Sequence, residues 1–266
     1  LIQRLLSPLL SVPHAAAAFG LAFLIAPSGW IARLLSPWAT GWTAPVDALI
    51  VGDPCGLSLI AGLVVKETPF LLLMTLAALR QPGIAQARAT ATSLGYGRLN
   101  GWVKAVLPRI YPQIRLPVYA VLAYSVSAVE TAIILGPTTP GTLAVRLTGW
   151  MRNPDLSLWF STSAGATLLL ALTIGALAVW NIVERFAARA GRAWSFAGVR
   201  GARDAVWRIA GAAATILTFA PVLLWLICLA IWSVAGLWPF PAAFPETLSS
   251  RVWMNAAPTL RVPVVN

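Results

Sequence analysis

Residues 156–183 read LSLWFSTSAGATLLLALTIGALAVWNIV, without a single charged side chain. A helix needs roughly 20 apolar residues to cross the hydrocarbon core of a bilayer, and this run exceeds that. Trp159 and Trp180 stand near its two ends, where interfacial aromatic belts form. Outward from this run the pattern repeats. Apolar stretches cover about 9–26, 57–79, 117–135 and 209–237, separated by polar or Pro- and Gly-rich segments. The whole chain of 266 residues is 59% hydrophobic and only 10% charged, with a mean hydropathy of +0.79. A soluble domain is closer to about 45–50% apolar and about 25% charged. The composition excludes a disordered chain and specifies an all-α, polytopic transmembrane bundle of about five spans.

The charges carry the sidedness. Net charge is +11, from 19 Lys and Arg against 8 Asp and Glu. Six basic residues fall in 80–115 (Arg80, Arg88, Arg98, Lys104, Arg109, Arg115) and six in 184–208 (Arg185, Arg189, Arg192, Arg200, Arg203, Arg208). The other loops hold only Arg33, Arg146, Arg152, Arg251 and Arg261. With both basic segments and Arg4 on the cytoplasmic side, five spans alternate without conflict, as the positive-inside rule requires. The basic charge then needs no nucleic-acid partner, which would call for a soluble basic module. Cys55, Cys228 and the lone His14 have no metal-ligand spacing, so no metal site is expected. No G-x-x-x-x-G-K-[ST] loop is present to cradle ATP phosphates, and no nucleophile–base or paired-carboxylate set offers catalytic residues.

The long basic connection between two spans is the informative loop, since a connection of this length usually has a function. From Ala85 to Pro117 it reads AQARATATSLGYGRLNGWVKAVLPRIYPQIRLP. Ala85–Leu94 is rich in Ala and lacks Pro and Gly, which predicts a helix. Gly95 and Gly97 predict a sharp turn. Leu99, Trp102, Val103 and Val106 then fall on one helical face, and Pro108 is expected to end or redirect that helix. The product is a helix–turn–helix elbow at the cytoplasmic surface, either a docking device or a cover for the base of the bundle.

This loop resembles the cytoplasmic signature of the inner-membrane permease subunits of binding-protein-dependent ABC importers: glutamate-alanine-alanine, then glycine, then hydrophobic-x-Leu-Pro. Leu94-Gly95 and Leu107-Pro108 match it, with glycine and proline 13 residues apart, and Ala91 falls on the second alanine. Ala89 stands at the glutamate position, Thr90 at the first alanine, and Ala105 is a weak match two residues before Leu107. The resemblance implies that the elbow is a coupling helix seated on an ATPase subunit, with Ala89, Thr90, Ala91, Leu94, Gly95, Leu107 and Pro108 as docking residues and Leu107–Pro108 as the return corner. Ser125-Val-Ser-Ala-Val-Glu130, with Leu135-Gly136, resembles the third-span segment of importers for thiamine, ferric iron, sulfate or molybdate.

The resemblance covers roughly Leu9 to Phe186 and implies a permease core over 1–186 with its elbow at 85–108. A basic cytoplasmic linker at 187–208 follows, then the first span of a second half over 209–266, as in importers that fuse two permease halves. The chain therefore reads as a fragment of a longer protein in a bacterial inner membrane. The implied partners are ABC ATPase subunits, which use the ATP, a periplasmic solute-binding protein, a second permease half or chain, and membrane lipid. No cofactor is expected on this chain, and a transport subunit is expected rather than an enzyme. A membrane scaffold or an intramembrane enzyme without an ATPase partner is the alternative. Glu130, Lys66 and Glu67 are the charges expected at membrane depth. Each either lines a translocation path or anchors helices to one another. Asp47 and Asp53 are expected as solvated loop charges.

Overall fold

The computed structural model describes residues 10–196 and 204–265. It is 71% helical, with no β-strand among the described residues, so the all-α reading holds. In chain order the helices are α1 (His14–Ile25), α2 (Trp30–Leu35), α3 (Leu57–Ala78), α4 (Ile84–Ser93) and α5 (Arg98–Gly101). A π-helical turn (Trp102–Val106) leads into α6 (Leu107–Ser127). There follow α7 (Glu130–Leu135), α8 (Leu143–Met151), α9 (Leu158–Phe196), α10 (Asp204–Val234) and α11 (Arg251–Val265).

Among the described residues, three segments are long and apolar enough to cross a membrane: His14–Leu35, Leu57–Ala78 and Leu158–Phe196. A shorter apolar stretch, Ala220–Val234, lies in α10. Helix α3 runs unbroken through Pro69. Helix α9 has 39 residues, about 58 Å at 1.5 Å per residue. That exceeds a hydrocarbon core of about 30 Å, so its charged end, from Glu184 onward, projects beyond the apolar stretch. Part of the expected linker at 187–208 is thus a continuation of α9; residues 197–203 lie outside the described set. The expected span 117–135 is not one helix. Helix α6 stops at Ser127, Ala128 is extended (ψ 117°), and α7 starts at Glu130. The Ser127 hydroxyl donates back to Ala123 O and Tyr124 O, a local bond that competes with helix continuation.

The chain forms two compact units. One comprises residues 10–11, Leu63–Val129 and Thr142–Phe219. In it α9 packs against α6 and α8. Gly165 of α9 lets Leu147 of α8 approach so closely that a Cβ there would collide with it. A small core of Ala78, Ile84, Val106 and Ile110 joins the end of α3 to α4 and α6.

The other unit comprises Val12–Gly62, Glu130–Gly141 and Ala220–Asn266. Its core is Ala17, Ala18, Leu21 and Leu24 of α1 with Ala132 and Leu135 of α7 and Val222, Trp225 and Cys228 of α10. The guanidinium of buried Arg33 lies among Trp238, Phe240 and Trp232, 4.8, 5.5 and 5.8 Å from the ring centroids. Its Nε donates to Ser28 O at 2.9 Å and its Nη1 to Pro239 O at 3.1 Å. Trp30 donates to Ala243 O at 3.0 Å. Trp30 and Trp238 thus pack against other side chains of the protein, whereas Trp38 is 77% exposed.

Candidate functional site

The elbow is built as a capped helix, a tight turn and a return. Helix α4 ends in a full Schellman motif: Tyr96 N–H donates to Ala91 O and Gly95 N–H to Thr92 O, both at 3.0 Å. The motif places Gly95 at φ +78°, where a side chain would be strained. The returning chain passes so close to α4 that a Cβ on Gly101 would meet Ala91 Cβ at 3.2 Å. Arg109 closes the base by donating to Gly83 O at 3.2 Å. The four-residue core beneath fixes both arms to the end of α3.

The expected docking residues divide. Ala89, Thr90 and Leu94 are exposed on the outer surface of the elbow. Ala91 is buried, turned toward Gly101, so it serves the turn and not the outer surface. The return corner at Leu107–Pro108 is not formed. The chain continues from α5 through the π turn into α6, with Pro108 in the first turn of α6. A proline in a regular helix clashes with the carbonyl four residues earlier. Here the turn before it is widened, Leu107 N–H reaching back to Trp102 O, so the ring is accommodated within a continuous helical path.

Two clefts flank α4. One, of about 440 Å³, is lined by Gln86, Thr90, Tyr96, Lys104 and Arg109 among others. The other, of about 810 Å³, lies on the opposite side, against Leu79, Ile84 and the π turn.

Sequence reasoning missed a polar cluster that ties α6 to α9. Glu184 accepts from Tyr111 Oη at 2.5 Å, Tyr119 Oη at 2.9 Å and Arg115 Nε at 2.8 Å. Trp180 and Asn181 donate to the two tyrosine oxygens. Burial and the neighbouring carboxylate push the Tyr111 hydroxyl up to about 12, so it remains a donor. The signal was available: Tyr111, Arg115 and Tyr119 recur every four residues on one helical face.

Of the charges expected at membrane depth, Lys66 and Glu67 lie in one compact unit and Glu130 in the other. Lys66 is buried, with its Nζ 3.5 Å from Leu10 O, and Glu67 is half-buried beside it. Glu130 follows the break after Ser127 as the exposed first residue of α7. Asp53, expected as a solvated charge, caps α3. Leu57 N–H and Ser58 N–H each donate to its carboxylate at 2.8 Å.

Over 168 residues the chain is 36% identical to the inner membrane ABC transporter permease protein YnjC of Escherichia coli (strain K12). The match covers 63% of this chain and 31% of that protein. No family profile matches the chain, and no solved structure matches it. The chain is therefore similar, over a stretch spanning about a third of that protein's length, to an inner membrane ABC transporter permease, and its own bilayer-length apolar helices are those of a membrane protein.

Proposed function

We propose that this chain is the transmembrane permease part of an ABC import system. Its helices form part of a solute pathway, and its cytoplasmic elbow docks a separate ATPase subunit. The observation that supports this best is the elbow: a rigid helix with an exposed outer surface, fixed by a four-residue core to two long helices. Such a body transmits displacement of its socket to the helices it is tied to. The chain offers no phosphate-binding loop, so ATP hydrolysis belongs to the partner. A periplasmic solute-binding protein supplies the solute, and a second permease half or chain completes the pathway. Selection among solutes falls largely to the binding protein, since the apolar helices offer few polar groups.

Gly95→Val tests this reading. A β-branched residue at positive φ is a genuine outlier and costs about 1–2 kcal/mol, enough to disturb the turn but not the spans. Wild-type chain retains the ATPase subunit on co-purification, and the variant loses most of it at unchanged helical content. A folded wild type that retains no ATPase subunit would replace this reading with that of a membrane scaffold.

A further inference from the structure

The six basic residues between 80 and 115 are not equivalent. Arg109 is held by Gly83 O and Arg115 by Glu184. The Lys104 ammonium lies over the Trp194 and Tyr96 rings, 4.7 and 5.5 Å from their centroids. Membrane sidedness accounts for a basic loop but not for where each charge points. Arg88 is exposed on α4, beside Ala89 and one turn before Thr92. It lies at the cleft of about 810 Å³, with Leu79, Ile84, Thr92, Trp102 and Val106 also lining it. Among the described residues no carboxylate lines that cleft, and none occurs in the sequence between Glu67 and Glu130. A mostly apolar recess with a guanidinium complements an apolar side chain flanked by an acid.

The geometry points to an acidic docking partner: the ATPase subunit places an apolar side chain in this cleft and a carboxylate against Arg88. The inference rests on the permease reading and adds the chemistry of the contact. Association is then steered by charge and weakened by salt.

The test uses the full-length chain in phosphatidylcholine nanodiscs, with the ATPase subunit purified alongside it as the probe. Affinity falls roughly tenfold between about 50 mM and about 300 mM NaCl. Arg88→Glu loses roughly tenfold at the lower salt, while Arg88→Lys stays within about threefold because the contact is mainly a point charge. Thr92→Trp fills the cleft without changing charge and weakens binding at both salts. Arg152→Glu, outside the elbow, binds as wild type. Circular dichroism confirms that each variant is folded. Salt-independent binding, with Arg88→Glu equal to wild type, overturns the acidic contact and leaves the permease reading intact. Binding that needs anionic lipid in the nanodisc assigns the cleft to a lipid headgroup and also overturns it. A folded wild type that binds no ATPase subunit in any condition overturns both.

Discussion

Asp53 and Gly95 both settle backbone groups that a helix end leaves unpaired, and neither does so through a large buried surface. Asp53 receives two N–H groups at the start of α3, and those bonds, from Ser58 and then Leu57, hold its carboxyl below the usual range. The unfolded chain has an ordinary aspartate near pH 3.9, so the folded state binds its proton less readily. The stabilisation from the cap is therefore complete above about pH 4 and is lost as pH falls through the lowered folded value. Asp53→Asn should flatten the acid limb of thermal melting between about pH 5 and about pH 3 while changing little at neutral pH. The acid at 53 was legible, but its role was not: the cap reaches forward across Pro54, Cys55 and Gly56, and four-residue spacing is not the usual capping signature. Gly95 was legible because positive φ strongly favours glycine. That Ala91 faces inward was not legible, because an alanine on a short helix carries no mark of which way it faces.

At the scale of elements, α6 departs most from expectation. Its prolines at 108, 112 and 117 are spaced by about a turn, and each lies within a continuous helix. Proline rules read one residue at a time and have no access to a π turn that relieves the crowding. The break at Ala128–Val129 was hidden for the opposite reason. Neither residue is a helix breaker, and only the Ser127 hydroxyl hints at it. The joint between α6 and α9 depends on Glu184. Glu184→Ala leaves Tyr111, Tyr119 and Arg115 without their shared acceptor, and loss of partners for half-buried donors costs about 1–3 kcal/mol. A lower melting temperature and faster proteolysis at the end of α9 are the expected readouts. Tyr119→Phe removes one donor and should cost less than Glu184→Ala. Equal losses would show that the tyrosine and the carboxylate do not act as a graded set.

Across the whole molecule, the periodic signals held and the long-range ones did not. Apolar run length was sufficient to place α1, α3 and α9, because bilayer thickness sets a threshold that composition alone can meet. Which segments pack together was invisible: residues 12–62 and 220–265 form one unit although the sequence assigns them to opposite ends of the chain. Arg33 is the latch of that unit. Lysine lacks the planar fork that both stacks on rings and donates to two carbonyl groups. Arg33→Lys should therefore cost about 2 kcal/mol, the value of charge-assisted hydrogen bonds, and expose the segment between Ala235 and Leu248 to limited proteolysis. Arg152→Lys, on an exposed loop, should leave that cleavage pattern unchanged.

The same latch places a delay in biosynthesis. Trp30 and its acceptor on Ala243 are 213 residues apart in sequence, and ribosomes add about 5–20 residues per second. For roughly 10–40 s on that scale, the guanidinium and indole near the first helix exist without the loop that encloses them. Whatever shelters them in that interval, whether lipid headgroups, water or an insertion factor, must release them when the later segment emerges.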